Sequence, residues 1–190
     1  MRNLNDLRGF LQAEKSEGRH IFSLASDDRF GFGVCTMEGY GTDQIFCSGF
    51  PSVVKFLNTT ERNFAISAVA SWGSRFFFVL TKGVAMYAGK KQFITIRRGW
   101  RLVEEAITEC GDMGAIITGL CYCKKTGLYA LVMTESTAQQ AYGWDWDRDS
   151  TQDFVANGYH PTLVLHHPPN DSILTVLTTD ENRSGIWIHN

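Results

Sequence analysis

Four stretches of this chain repeat one pattern, and no other feature limits its fold so strongly. They run from His20 to Thr36, Ala65 to Thr81, Ile116 to Thr134 and Thr162 to Thr178. Each holds a short β-rich run, a polar turn, a second apolar run and a closing threonine. The turns are Asp27-Asp28-Arg29, Trp72-Gly73-Ser74, Lys124-Lys125-Thr126-Gly127 and Pro169-Asn170-Asp171. Such punctuation between β-rich runs marks hairpins. Ile21 to Thr36, Ile66 to Thr81 and Leu163 to Thr178 are equal separations, and Ile117 to Thr134 is longer by extra turn residues. Recurrence at roughly 40–50 residues, with several strands per unit, is the arithmetic of a propeller.

A third strand follows each hairpin. It is Asp43 to Cys47 in the first unit, Lys91 to Thr95 in the second and Gly185 to His189 in the fourth; the third unit is irregular here, at Gln140 to Trp144. A fourth segment then leads into the next unit, at Val53 to Leu57, Arg101 to Glu104 and Gln152 to Val155. The fourth unit lacks this segment, while Leu7 to Glu14 precedes the first hairpin as Val53 to Leu57 precedes the second. The expectation is therefore an all-β fold, a four-bladed β-propeller-like repeat ring whose N-terminal strand closes the last blade and hides two sheet edges. It is one domain, with units at approximately 20–64, 65–114, 115–160, and 161–190 plus 1–19. A β-sandwich or open barrel would show a similar strand count. Residues 6–14 and 101–109 are rich in helix formers, which would suit a mixed α+β fold. Phe76-Phe77-Phe78 sends apolar side chains to both faces of one strand, which is expected to be buried on both sides.

The chain has 190 residues, enough for one core without disulfide or metal staples. A formal net charge of −2 argues against a general electrostatic grip on nucleic acid. The basic concentration at Lys90-Lys91 and Arg97 to Arg101 reads as a solvated strand end. No apolar run is long enough to cross a bilayer, and none follows Met1 as a signal peptide would require. The expectation is a cytoplasmic or nuclear protein with no membrane association. Cys35, Cys47, Cys110, Cys121 and Cys123 cannot all pair, and they read as small buried hydrophobes in a reducing compartment. Cys121-Tyr122-Cys123 is too tight for a zinc knuckle.

Asp145-Trp146-Asp147-Arg148-Asp149 begins like a calcium loop, but Ser150 stands where the sharp turn wants Gly and Ala156 where a bidentate Glu is needed. It reads as an acidic, solvated loop in which Trp144 and Trp146, beside Asp145 and Asp147, could anchor a protein partner. Trp100 and Arg98 form a second candidate contact. His20, His160 and the His166-His167 pair read as structural or exposed. The chain has no Gly-x-Ser-x-Gly nucleophile turn, and no helix-opening Gly-x-Gly-x-x-Gly. No catalytic residue, metal or cofactor is expected.

The second unit, with Ile66-Ser67-Ala68-Val69-Ala70 before Gly73-Ser74-Arg75 and Val79-Leu80-Thr81-Lys82-Gly83, resembles repeats in the C-terminal domain of plant casein-kinase-1-like kinases. Those repeats end in a Gln, and Gln44 and Gln92 fall at that place. The likeness spans the four units, departs in the third, and includes no kinase domain. It implies a repeat binding module with no catalytic residues. The expected function is non-enzymatic binding, of a protein through loops on one propeller face. The alternative is a small-molecule or glycan pocket, or an unrecognised hydrolase, at the axis of the ring.

Overall fold

Each repeat opens with a helix. The computed structural model describes residues 4–27, 31–39, 41–51, 53–54, 64–84, 87–167 and 169–180. In chain order the elements are α1 (Leu4–Ser16), β1 (Arg19–Asp27), β2 (Gly31–Glu38), β3 (Asp43–Ser48), β4 (Phe64–Trp72), β5 (Arg75–Lys82), β6 (Gln92–Arg98), α2 (Trp100–Asp112), β7 (Ala115–Cys123), β8 (Leu128–Glu135), β9 (Gln140–Trp144), α3 (Arg148–Ala156), β10 (His160–His167) and β11 (Ser172–Thr178). The protein is mostly β, built as four small antiparallel sheets. No described helix is long and apolar enough to cross a membrane.

The sheets are β1-β2, β3-β5-β4, β6-β8-β7 and β9-β11-β10. Every hairpin is local, but the third strand of a repeat pairs with the hairpin of the next repeat. The repeats thus overlap along the chain. The first strands lie side by side, β1 against β4, β4 against β7 and β7 against β10.

Alternation along the middle strands feeds cores on both faces. Phe77 and Val79 pack with Phe32, Ala68 and Ile21 between the first and second sheets. Phe76 and Phe78 face the other way, onto Cys121, Cys123 and Val132 of the third sheet. All three phenylalanines are buried, as expected. A third core, around Ile117, Leu131, Tyr129 and Val176, joins the third and fourth sheets. A helix covers each core: Leu7 of α1, Val53 in helical conformation, and Val103, Ala106 and Ile107 of α2 are buried in successive ones. The far face of the fourth sheet is covered differently, by Phe154 of α3 and by Trp146. Among the described residues no apolar core joins the fourth sheet to the first.

Several expectations are corrected. The N-terminal segment is no strand of the last blade. It is helix α1, packed on the first core through Leu7 and Leu11. The connecting segments are helical too: Arg101 to Glu104 lie in α2 and Gln152 to Val155 in α3, and Val53 and Val54 are helical. Their apolar residues recur at three- and four-residue intervals, as Val103, Ala106, Ile107 and Cys110 do, which is a helix stripe and not strand alternation. The irregular segment Gln140 to Trp144 is a regular strand, β9. Gly185 to His189 lies outside the described residues. Cys35 is exposed, whereas Cys121 and Cys123 are buried and Cys47 and Cys110 half-buried.

Candidate functional site

Two ends of the sheets carry different chemistry. At one end, each first strand carries a β-bulge at the same place, after Ile21, Ile66, Ile117 and Pro161. The bulge turns the peptide groups of the three isoleucines away from the hairpin partner. A glutamine from the next sheet meets them. Gln44 Oε1 accepts from the Ile21 N–H at 2.9 Å, and its Nε2 donates to Ile21 O and to Thr81 Oγ1, both at 2.7 Å. Gln92 makes the same three bonds to Ile66 and Thr134, and Gln140 to Ile117 and Thr178. The bulged residues Ser67, Thr118 and Thr162 hold those threonines by hydroxyl contacts of 2.6, 2.7 and 2.8 Å. A carboxamide reproduces the donor and acceptor of a peptide group. Each glutamine therefore acts as one residue of extra strand across a sheet boundary.

This end also shows where the sequence register slips. Thr81, Thr134 and Thr178 lie opposite Ala65, Ile116 and His160, but the residue opposite His20 is Met37, and Thr36 lies opposite Ile21. The hairpin loops differ in length, so equal spacing in sequence aligned Thr36 one residue early. At the corresponding place the first sheet has Phe22 at the bulge and Met37 beyond it, both exposed. Thr36 instead donates to Glu14 Oε2 at 2.6 Å. Pro161, which stands in the fourth sheet where the isoleucines stand in the others, has no N–H to donate to a glutamine. A fourth joint of this type therefore lacks both its threonine and its amide donor.

The opposite end carries the hairpin turns, and here the four first strands open on a cleft of about 640 Å³. Ser26, Ser71, Tyr122 and His166 come from β1, β4, β7 and β10 in turn, with Lys124 and Asp171 from two of the turns. Ser26 donates to Ser71 O, and Ser71 Oγ donates to Tyr122 O at 2.7 Å, so hydroxyls tie three strands across the cleft. On the fourth, His166 Nε2 lies 2.8 Å from Asp171 Oδ1. Both serine hydroxyls serve backbone carbonyls. The cleft therefore presents hydrogen-bonding groups, with no serine poised on a histidine.

Beside it stands an aromatic group. Trp100, at the start of α2, meets Trp144 at 4.8 Å between ring centroids, Tyr129 at 5.9 Å and Tyr142 at 6.4 Å. His167 lies 4.7 Å from Tyr122 and 5.5 Å from Trp144. Burial, with Tyr122 close by, pushes the Tyr129 phenol up to about 12, so it stays protonated. Its hydroxyl hydrogen-bonds with His167 Nε2 at 2.6 Å, and His167 Nδ1 lies 2.5 Å from Asn170 Oδ1. Trp100, Trp144, Tyr122 and His167 remain partly accessible, and Arg98 is exposed at the end of β6.

The other residues singled out in the sequence lie apart from this group. Trp146 stacks on Phe154 at 4.9 Å and covers Gly143 so closely that a Cβ there would sit 2.1 Å from its Nε1. Asp145, at φ 50, accepts from the Ile173 N–H at 2.7 Å and so extends the β9–β11 pairing. Asp147 caps α3, accepting from the Ser150 N–H at 2.8 Å, and the Ser150 contacts hold its carboxyl below the usual range. The acidic residues here serve backbone geometry. The sequence reading missed Tyr122 and Tyr129 and took His167 as structural or exposed; their place beside Trp100 depends on two sheets coming together. No family model, curated protein or solved structure matches the chain.

Proposed function

We propose that this protein is a binding module that recognises a protein partner through its turn face. The carrying observation is that the cleft and the partly accessible group Trp100, Trp144, Tyr122 and His167 lie at one end of the sheets, with Arg98 exposed beside them. Aromatic side chains with a nearby arginine are the residue types that dominate protein recognition. In this reading the four sheets are blades of a propeller-like ring, with the first strand of each innermost. What supports it is that β1, β4, β7 and β10 all line one cleft. The likeness to the repeat domain of plant casein-kinase-1-like kinases points to the same kind of module. A small-molecule or glycan ligand is the second reading, favoured by a cleft volume within the range of ligand sites.

The test compares two variants of the whole chain as baits. Arg98→Ala with Lys124→Ala and His166→Ala alters the turn face; Arg101→Ala, at an exposed residue paired with Glu105, is the control. A partner retained by the control and the unaltered protein but lost from the triple variant supports the reading. Partners captured equally by all three overturn it. Thermal shift with oligosaccharides, abolished in the triple variant, would move the function to the second reading.

A further inference from the structure

A second cavity, of about 220 Å³, lies away from the turn face, between α1, β1 and β3. Leu11, Ile21, Ile45, Phe46 and Val79 give it apolar walls. Arg8, Lys15 and Arg19 stand around it, together with Glu14. Lys15 is paired with Asp43 at 2.6 Å, and Arg19 with Glu14 at 2.8 Å and with Glu17. Arg8 makes no ion pair among the described residues, so one cation at the rim is unspent.

His20 also lines the cavity, and it is the anomaly. Its side chain is more than nine-tenths buried, and neither Nδ1 nor Nε2 has a hydrogen-bond partner among the described residues. A buried polar group without a partner is rare in native proteins and asks for an explanation. The matching positions of the second and third sheets are Ala65 and Ile116, and that of the fourth is His160, which is exposed, so burial is what sets His20 apart. No hydrogen bond fixes which edge of the ring faces the cavity, so a half-turn of the imidazole that brings a nitrogen to it breaks none.

We infer that this cavity binds a small carboxylate with a short apolar tail, the tail against Phe46 and Ile45 and the carboxylate between Arg8 and His20. The volume holds about seven waters at ~30 Å³ each, which suits a body of six or so carbon atoms. An imidazole N–H and a guanidinium both donate, and a carboxylate accepts from both. A fully hydrated anion such as phosphate would gain nothing from the apolar walls. The site is independent of the turn-face reading, because it shares no residue with that face.

Hexanoate is the probe, titrated into the full chain labelled with ¹⁵N and followed by the His20 ring nitrogens and the backbone amides of α1, β1 and β3. Saturable shifts confined to those elements are expected, with a Kd on the order of 1 mM or tighter for a ligand of this size. Arg8→Gln should weaken binding roughly tenfold, as should replacing hexanoate by hexanamide. Arg8 is exposed, so its variant keeps the fold, and an unchanged amide spectrum checks this. His20→Leu removes the second donor and should weaken hexanoate further than hexanamide. Shifts that do not saturate, hexanamide binding as tightly as hexanoate, phosphate competing at equal concentration, or full affinity in Arg8→Gln would each overturn the inference.

Discussion

The bulge end and the turn end of the sheets obey opposite rules. At the bulge end the same glutamine, isoleucine and threonine recur three times with nearly the same distances. At the turn end no two turns share a sequence, and polar side chains serve local partners or point into the cleft. The difference follows from what each end must do. Bulged peptide groups near a sheet boundary have no strand to pair with, and a buried unpaired amide is costly, so one solution repeats wherever the geometry repeats. The turns close by themselves, and water satisfies what the side chains do not. Repetition thus marks where sheets lock together, and variation marks where a face is free to recognise something.

The largest effect belongs to neither end. Phe77 sits mid-strand with 1% of its surface exposed, stacked on Phe46 at 5.5 Å and edge-on to Phe32 at 5.7 Å. Phe77→Ala should destabilise by about 3–5 kcal/mol in chemical denaturation, setting the scale for core loss. The bulge end comes next. Gln140 is the most buried of the three glutamines, and Gln140→Ala leaves the Ile117 N–H and C=O and the Thr178 hydroxyl short of partners. A loss of about 2–4 kcal/mol is expected, with Gln44→Ala and Gln92→Ala smaller because water reaches those half-buried sites. Losses below 0.5 kcal/mol at all three positions would remove the distinction between the ends.

How much of this could be read from residues alone divides along the same line. The hairpins and their turns were legible because alternation and turn residues are local signals. Two of the third strands, β3 and β6, were legible as segments, but not which hairpin they join, since pairing across a repeat boundary leaves no local mark. Helices α1 and α2 were visible only as helix formers; the repeat logic favoured strands there, and tertiary packing of Leu7 and Val103 decided otherwise. Thr36 matched by counting and missed by register, because loop length changed while strand length did not. In the candidate site, Trp100, Trp144 and Arg98 were singled out, whereas Tyr122 and Tyr129 went unnoticed as contact residues and His167 read as structural or exposed. Trp146 and Asp147 look like contact residues in sequence, and the structure employs them in packing and capping.

The first sheet has a glutamine joint at Ile21 but no joint threonine, and it tests whether charge takes over on that side. Glu14 accepts from Arg19 and from Thr36, and the Arg19 hydrogen bond first, then Thr36, lowers its carboxyl to about 2. The sign follows from that depression: an unfolded glutamate titrates near ~4.3, so the clamp contributes fully above that pH and is lost as pH falls toward about 2. Melting temperature should therefore drop between pH 5 and pH 2.5, and Glu14→Gln should shrink the drop. Asp43 and Asp147, also lowered, keep part of it. An identical acid profile in Glu14→Gln would show that Arg19 and Thr36 do not hold α1 to the first sheet through this carboxylate.

The smallest effect on stability is expected at the turn end, and it sharpens the comparison most. His166 is exposed, and its contact with Asp171 is a surface pair whose side chains are 56% and 93% accessible. Such pairs contribute about 0–1 kcal/mol, and isolated surface changes stay within ~0.5 kcal/mol. His166→Ala should therefore leave the denaturation midpoint nearly unchanged. If the turn face is the recognition surface, the same substitution should still weaken capture of a partner, because a side chain that does little for the fold is free to serve contact. Lys124→Ala should behave alike, being exposed in the turn after β7. A destabilisation by His166→Ala comparable to that of Gln140→Ala would mean that the turns lock the sheets as the glutamines do, and the division between a joined end and a recognising end would fail.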